Sequence, residues 1–295
     1  MHVGIAGVGR MGTAIAARLM EVGHTLTVWN RSAEKLRPLT NAGAQVARTP
    51  AELAGAVEAI ITILTDAPAI DAVYHGPQGL LSADVKGKLF IEMSTLPPEV
   101  APALAERVRA KGAAFVECPV GGTIGPARQG KLLGLMGGEP ADVARARPIL
   151  DQLCRRVQHA GPIGSGAVLK LAVNLPLMVY WQALGESLAM CKQLNIKPEE
   201  LLDFLADTSG AANVLRIRSH LIVAKLKGED PGPVTFNIDG GIKDVEAMLA
   251  EGKRRGIELP LVQRTLECYE EVRANTSGEA EISSIAAYWP NRGNR

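Results

Sequence analysis

The sequence predicts an α/β fold, a mostly parallel and doubly wound sheet of Rossmann type, followed by an all-α domain. Three observations predict it. Short apolar runs alternate with helical stretches through the first half of the chain. A glycine turn joins the first such run to the first helix. After Gly166 no convincing strand pattern is left.

The elements follow in order. "HVGIAG" (His2–Gly7) is short and apolar, as a buried strand is, and "RMGTAIAARLMEVG" continues with helical spacing to a C-capping Gly23. "HTLTVWN" is a second strand. Thr49-Pro50-Ala51-Glu52 carries a capping threonine, a proline at the first helical position and the glutamate of a capping box. "AIITILT" (Ala59–Thr65) and "KLFIEMST" (Lys88–Thr95) are strands, and Pro97-Pro98 open a helix running to about Gly112. "AAFVECPV" and "LLGLMGG" are two more strands. A helix over Pro140–Leu153 and a short last strand in "RRVQHAG" complete this half. Such runs are covered on both faces in a parallel sheet.

The Gly/Pro/Ser-rich break at Gly161–Gly166 divides the chain into residues 1–162 and 163–295, within the usual range of about 100–200 residues per domain. Helical stretches follow at Ala167–Leu194, Pro198–Thr208, Val214–Leu226, Ile238–Gly256 and Pro260–Asn275. The first is apolar enough to raise a membrane span. Asn174, Pro176, Gln182 and Glu186 interrupt it, so it reads as a helix buried between domains or subunits, with no membrane involved.

Composition narrows the function. Of 295 residues, 47% are hydrophobic and 21% charged, with a net charge of +1, so a polyanion such as nucleic acid is not an expected partner. Four scattered cysteines without a CxxC pair read as reduced thiols of a cytoplasmic protein, and five dispersed histidines give no metal site. The N-terminus reads as a strand, with no basic leader before it.

The first chemical motif is Gly7-Val8-Gly9-Arg10-Met11-Gly12. A lone GxGxxG is weak. Between a strand and a helix it is strong, because the glycines allow a tight turn, close approach of a pyrophosphate and close helix packing. The end of the second strand then selects the dinucleotide. An NAD site usually carries a carboxylate there; here the residues are Asn30-Arg31-Ser32. Arg31 can pair with a 2′-phosphate and stack on adenine, and Asn30 and Ser32 can donate hydrogen bonds. NADP(H) is therefore expected to be preferred, with NAD(H) possible. Two further strand ends, Leu64-Thr65-Asp66 and Met93-Ser94-Thr95, face the cofactor or serve as plain helix caps. The loop "ECPVGGTIGPARQGKL" presents backbone amides of Gly121, Gly122 and Thr123 and one hydroxyl, a nest that suits an anion, or else forms a plain turn.

Taken in order, "GIAGVGRMG", "ECPVGGT", "GSGAVLKLAVN" and "IKDVEAMLAEGKRRGIELP" resemble the β-hydroxyacid dehydrogenase family, which includes 3-hydroxyisobutyrate dehydrogenase and the tartronate and succinic semialdehyde reductases. The resemblance spans nearly the whole chain. It implies a Rossmann domain, a helical domain built on a long helix, a cleft between them, and a homodimer or homotetramer. It implies an NADP-linked interconversion of a small hydroxyacid with its semialdehyde or ketone. Lys170 is then the catalytic acid/base and Asn174, one turn on, lines the substrate pocket. An apolar helix suits such a lysine, since desolvation eases loss of the proton that must move in each direction. Thr95 is expected on the nicotinamide side, Lys243 in the cleft, Asp244 orienting its segment and Phe236 packing over the cofactor.

One departure bears on substrate. The family pattern is DxPVSGG; here the serine position is Gly121 and the aspartate is Glu117. A sulfolactaldehyde reductase also lacks the serine, but it has arginine where this chain has Gly122. Two other readings stay open: an imine reductase, which shares a "VWNR"-like segment but places Asp or Tyr at the lysine position, and a non-catalytic NADP-binding protein.

Overall fold

The computed structural model describes residues 1–292 and divides into two compact units, Met1–Lys170 and Leu171 onward. The first unit alternates β1 (His2–Ala6), α1 (Arg10–Glu21), β2 (Thr25–Trp29), α2 (Arg37–Asn41), β3 (Gln45–Val46), α3 (Pro50–Ala56), β4 (Ala59–Thr62) and α4 (Ala67–His75). It continues with β5 (Leu89–Glu92), α5 (Val100–Ala110), β6 (Ala114–Glu117), β7 (Val120–Gly121), α6 (Ile124–Arg128), β8 (Leu132–Gly137), α7 (Pro140–Leu153) and β9 (Cys154–Gly161).

The sheet runs β3-β2-β1-β4-β5-β6-β8-β7, with β9 paired to β8. Strands β1 to β6 pair in parallel; β8 is antiparallel to β6 and β7, and β9 returns parallel to β8. Successive strand residues face opposite sides, so each central strand feeds two cores. Ile61, Ile91 and Val116 join one buried cluster; Ile60, Phe90 and Phe115 join the other. All six are 0% exposed. Both faces being covered is why these strands read as continuous apolar runs.

The strand expected over Ala59–Thr65 ends at Thr62, the helix expected over Ala167–Leu194 runs Ser165–Met190, and three further details differ for a physical reason. The run expected to be strand through Thr95 stops at Glu92, whose carboxylate folds forward to accept the amide of Ser94 at 2.7 Å. The helix expected to open at Pro97-Pro98 starts at Val100. A residue preceding proline is disfavoured in helical geometry, so Pro97 belongs to the turn, and its carbonyl accepts from Val100 at 3.0 Å. The capping box at Thr49 is shifted: Thr49 accepts from the Glu52 amide, but Glu52 accepts from the Arg48 amide rather than that of Thr49.

α8 (Ser165–Met190) leads out of the first unit. The second unit adds α9 (Pro198–Ala206), α10 (Val214–Leu226), α11 (Ile238–Arg255), α12 (Pro260–Asn275) and α13 (Ser284–Asn291); its described residues contain no strand, only an Asn237–Glu281 bridge. The last helix is not marked in the sequence reading, since Pro290 lies inside it. α8 is long and apolar enough to cross a membrane, and its most apolar window is 33% buried within the chain. Trp181 and Met178 face the second core, where the Tyr269 hydroxyl donates to the Met178 carbonyl at 2.7 Å.

Replacing Thr49 with alanine removes the side-chain acceptor for the Glu52 amide. We expect a loss of about 1 kcal/mol in urea unfolding, read as a lower midpoint with an unchanged slope.

Candidate active site

The glycine turn is dictated by backbone crowding. Gly7 has φ +101°, and a Cβ there would stand 2.0 Å from the Ile63 carbonyl oxygen; a Cβ on Gly12 would stand 2.0 Å from the carbonyl oxygen of Gly7. Gly9 differs. It has no positive φ, and a Cβ on it would meet nothing within 4 Å. Nothing in the protein requires glycine there, whereas a closely approaching pyrophosphate does. The first turn of α1 has neither a side-chain cap nor an acidic residue, so its amides at Arg10, Met11 and Gly12 suit phosphate oxygens. These residues fit a dinucleotide.

Two nominated residues act first as scaffold. Val8 is 1% exposed, and its amide donates to the Asn30 side-chain oxygen at 3.0 Å. Asn30 in turn donates to the Ser32 carbonyl at 3.0 Å. Its amide thus clamps the glycine turn to the end of β2. Arg31 beside it is exposed, and the Ser32 hydroxyl makes no cap bond to the short helix it precedes.

At the next strand ends, Asp66 proves to be a helix cap, accepting from Ala69 at 2.8 Å, with the Thr65 hydroxyl donating to it. Leu64 donates its amide to the Ser94 hydroxyl at 2.8 Å, which ties this loop to the Ser94–Thr95 turn. Behind them lies a group the sequence reading missed. Glu92 is 1% exposed and accepts from the Thr62 hydroxyl at 2.5 Å and the Tyr74 hydroxyl at 3.2 Å, besides the Ser94 amide. Burial pushes its carboxyl up from the usual range. Burial also pushes the Tyr74 hydroxyl well up, and the charge of Glu92 adds to that.

Glu117, the in-register neighbour of Glu92, closes β6 and is 2% exposed. It accepts the amides of Gly164 at 2.5 Å and Gly166 at 2.8 Å. Burial raises its pKa to about 7, against the opposing pull of those amides. The stability linked to its neutral form is full at low pH and is lost as pH rises through about 7. The legible signal for both carboxylates was an acid ending an otherwise apolar strand, in "LFIE" and "AFVE".

Beyond Glu117, the loop reaches Gly121, Gly122 and Thr123. Gly122 has φ +124°, and a Cβ there would meet Leu132 Cδ2 at 2.9 Å. A Cβ on Gly121 would meet Leu133 at an ordinary 3.5 Å. Thr123 is exposed and its hydroxyl caps nothing on α6.

Lys170 sits on α8 and is 9% exposed. Asn174 follows one turn later on the same face. In the second unit, Asn174 donates to Asp244 at 3.1 Å, and Lys243 stands 4.0 Å from the other oxygen of that carboxylate. Asp244 is 4% exposed and joins the two polar residues. Phe236 packs over Gly240 in the first turn of α11, where a Cβ would meet its ring at 2.7 Å. Its segment is pinned by Glu281, which accepts the amides of Thr235 and Phe236 and pairs with the nearly buried Arg218. A cavity of 660 Å³ between α9 and α10 contains none of these residues.

The profile described as the NAD binding domain of 6-phosphogluconate dehydrogenase matches residues 2–161, and that described as NAD-binding of NADP-dependent 3-hydroxyisobutyrate dehydrogenase matches residues 164–289. The chain belongs to the β-hydroxyacid dehydrogenase family. A glyoxylate/succinic semialdehyde reductase 1 of Arabidopsis thaliana is 31% identical over 97% of this chain and 97% of its own length. A 3-hydroxyisobutyrate dehydrogenase structure from Salmonella typhimurium aligns with TM-score 0.88, 22% identity and coverage of 98% and 99% of the two chains, a likeness of fold. Psf3, solved in complex with NADP+ and 2-OPP, aligns at TM-score 0.85 and 25% identity over 97% and 99%. As a β-hydroxyacid dehydrogenase family member, the protein is an NAD(P)-dependent oxidoreductase acting on CH–OH groups.

The two loop glycines should respond differently to serine. Gly121→Ser is expected to fold with an unchanged melting temperature, whereas Gly122→Ser should cost about 1–3 kcal/mol for its backbone conformation. Parallel thermal melts compare them.

Proposed function

We propose that this enzyme interconverts a small 3-hydroxyacid and its semialdehyde or ketone, with NADP(H) preferred and Lys170 as general acid/base. The observation that carries the proposal is a buried lysine on an apolar helix, one turn from Asn174. The nicotinamide supplies or accepts the hydride. In reduction, Lys170 Nζ gives a proton to the carbonyl oxygen as negative charge grows on it; in oxidation the neutral amine takes the hydroxyl proton back. Asn174, held by Asp244, orients the same oxygen or its neighbour. Thr95 fixes the nicotinamide side, and Phe236 and Lys243 complete the cofactor contacts. The backbone of Gly121 and Gly122 with the Thr123 hydroxyl receives the substrate's acid group. The family serine is absent here although Gly121 has room for it, which supports a substrate whose acid end differs from that of 3-hydroxyisobutyrate.

Arg31, exposed beside the clamped Asn30 and with no carboxylate at the end of β2, supports a 2′-phosphate. Four free thiols support a cytoplasmic location. The partly covered apolar α8, with Val173 43% exposed, supports a homodimer or homotetramer.

Lys170→Ala should lower turnover by about 10²–10⁴-fold while leaving NADPH affinity near wild type. Lys170→Arg should not rescue it, because a guanidinium stays protonated. Turnover on a panel of C3–C4 semialdehydes, with cofactor binding by fluorescence titration, is the measurement; more than about a tenth of wild-type turnover in Lys170→Ala contradicts the assignment.

Arg31→Asp should reverse the cofactor preference, since aspartate repels a 2′-phosphate and accepts from a ribose hydroxyl. The ratio of NADPH to NADH dissociation constants checks it, and equal constants in the unmutated enzyme contradict the preference.

A further inference from the structure

We propose that Glu117 is a positioning residue that sets Lys170 in place through the start of α8, a role that rests on Lys170 being the acid/base. Its carboxylate takes the amides of Gly164 and Gly166, on either side of Ser165, the first residue of the helix. Lys170 follows Ser165 by five residues, about 7.5 Å along the axis at roughly 1.5 Å per residue. Where Glu117 Oε1 sits, the first turn of α8 sits, and the lysine with it.

The slot around this carboxylate leaves little freedom. A Cβ on Gly137 would stand 2.4 Å from Glu117 Oε1 and 2.8 Å from the Pro162 carbonyl oxygen. A Cβ on Gly166 would stand 2.3 Å from the Leu135 carbonyl oxygen and 3.2 Å from Glu117 Oε1. The helix start is therefore pressed directly onto the β8 backbone, and the carboxylate carried at the end of β6 takes two of its amides. Gly164, at φ +97°, makes the turn that brings both amides round to it.

The same strand-end row reaches the cofactor loops. Glu117 pairs in register with Glu92, and Glu92 with Thr62. Glu92 holds the Ser94 amide and Ser94 holds the Leu64 amide. Glu117 also begins the segment that carries Gly121–Thr123. A single sheet edge thus locates the cofactor loops, the anion loop and the helix of the proton donor. Glu117 contributes the last of these links, and its carboxyl touches no part of the glycine turn that grips the dinucleotide. Removing it should therefore alter proton delivery and spare cofactor binding. Aspartate, the residue usual in the family, is one methylene shorter and would draw the carboxylate away from both amides in this backbone.

The test is a double-mutant cycle with Lys170, using the full-length enzyme and a substrate it turns over. Glu117→Ala and Glu117→Asp should each lower kcat by about 10-fold to 10²-fold, the scale of a displacement near 1 Å. NADPH affinity should stay within about threefold of wild type, which also reports that the dinucleotide site is folded; threefold is well under the tenfold of 1.4 kcal/mol. Glu117→Gln keeps an acceptor oxygen at the same reach and should restore most of kcat. In the Lys170→Ala background, Glu117→Ala should cause no further loss, because a residue acting through Lys170 has nothing left to position. Wild-type kcat in Glu117→Ala and Glu117→Asp overturns the proposal. So does an equal loss in the Lys170→Ala background, or a Glu117→Gln enzyme as impaired as Glu117→Ala. Lys170→Ala at near wild-type turnover removes the acid/base reading and this proposal together; a dead Lys170→Ala beside a fully active Glu117→Ala removes this proposal alone.

Discussion

The first unit depends on how closely its backbone can pass over itself at the C-terminal ends of the parallel strands. Gly7 lies under the Ile63 carbonyl, Gly12 over the carbonyl of Gly7, and Gly166 against that of Leu135, at separations no side chain tolerates. Each contact places the start of a helix on the strand edge: α1 through Gly12, α8 through Gly166. Helix starts bring free amides with them, and each finds a different partner. The first turn of α1 is left for a phosphate, whereas the turn into α8 meets Glu117. The same crowding therefore leaves the amides of one helix start open to a phosphate and satisfies those of the other internally.

Buried carboxylates without a counter-cation are costly unless hydrogen bonds compensate. Glu92 and Glu117 are neighbours across β5 and β6; burial disfavours ionisation of each, and the charge of Glu92 adds to that at Glu117. Glu92 gathers two hydroxyls and an amide, Glu117 two glycine amides. The arrangement is a polar seam between two apolar cores, lying where the strands end and the loops with chemistry begin.

Much of this was legible in the residues. Apolar runs at His2–Gly7, Ala59–Thr65 and "AAFVECPV" marked the buried strands His2–Ala6, Ala59–Thr62 and Ala114–Glu117 because both faces of the sheet are covered. The glycine turn and the helices Val214–Leu226 and Pro260–Asn275 carried strong local signals, whereas the roles expected of Lys170 and Asn174 came from the family resemblance and not from their own stretch. What was not legible depended on distance in sequence. Asn30 reads as a donor to a ligand; in the fold its side-chain NH2 donates to the Ser32 carbonyl, and its oxygen accepts from the amide of Val8, 22 residues earlier. Glu117 reads as a variant of a motif, and its partners lie 47 and 49 residues on. The antiparallel direction of β8 is likewise a property of pairing, invisible in an apolar run whose composition is the same either way. α13 escaped because an internal proline counts against a helix locally while Ile285 and Ala286 are held in the second core.

The adjacent glycines of the anion loop differ in a way that bears on descent. At Gly122 both the backbone angle and the facing Leu132 oppose any side chain; at Gly121 neither does. A lineage carrying this loop can therefore explore side chains at one position by single-nucleotide change without rebuilding the turn, while the next position is closed to that drift. The position a side chain can occupy and the position the turn reserves are thus carried by separate codons, side by side, and selection can act on the first without endangering the second.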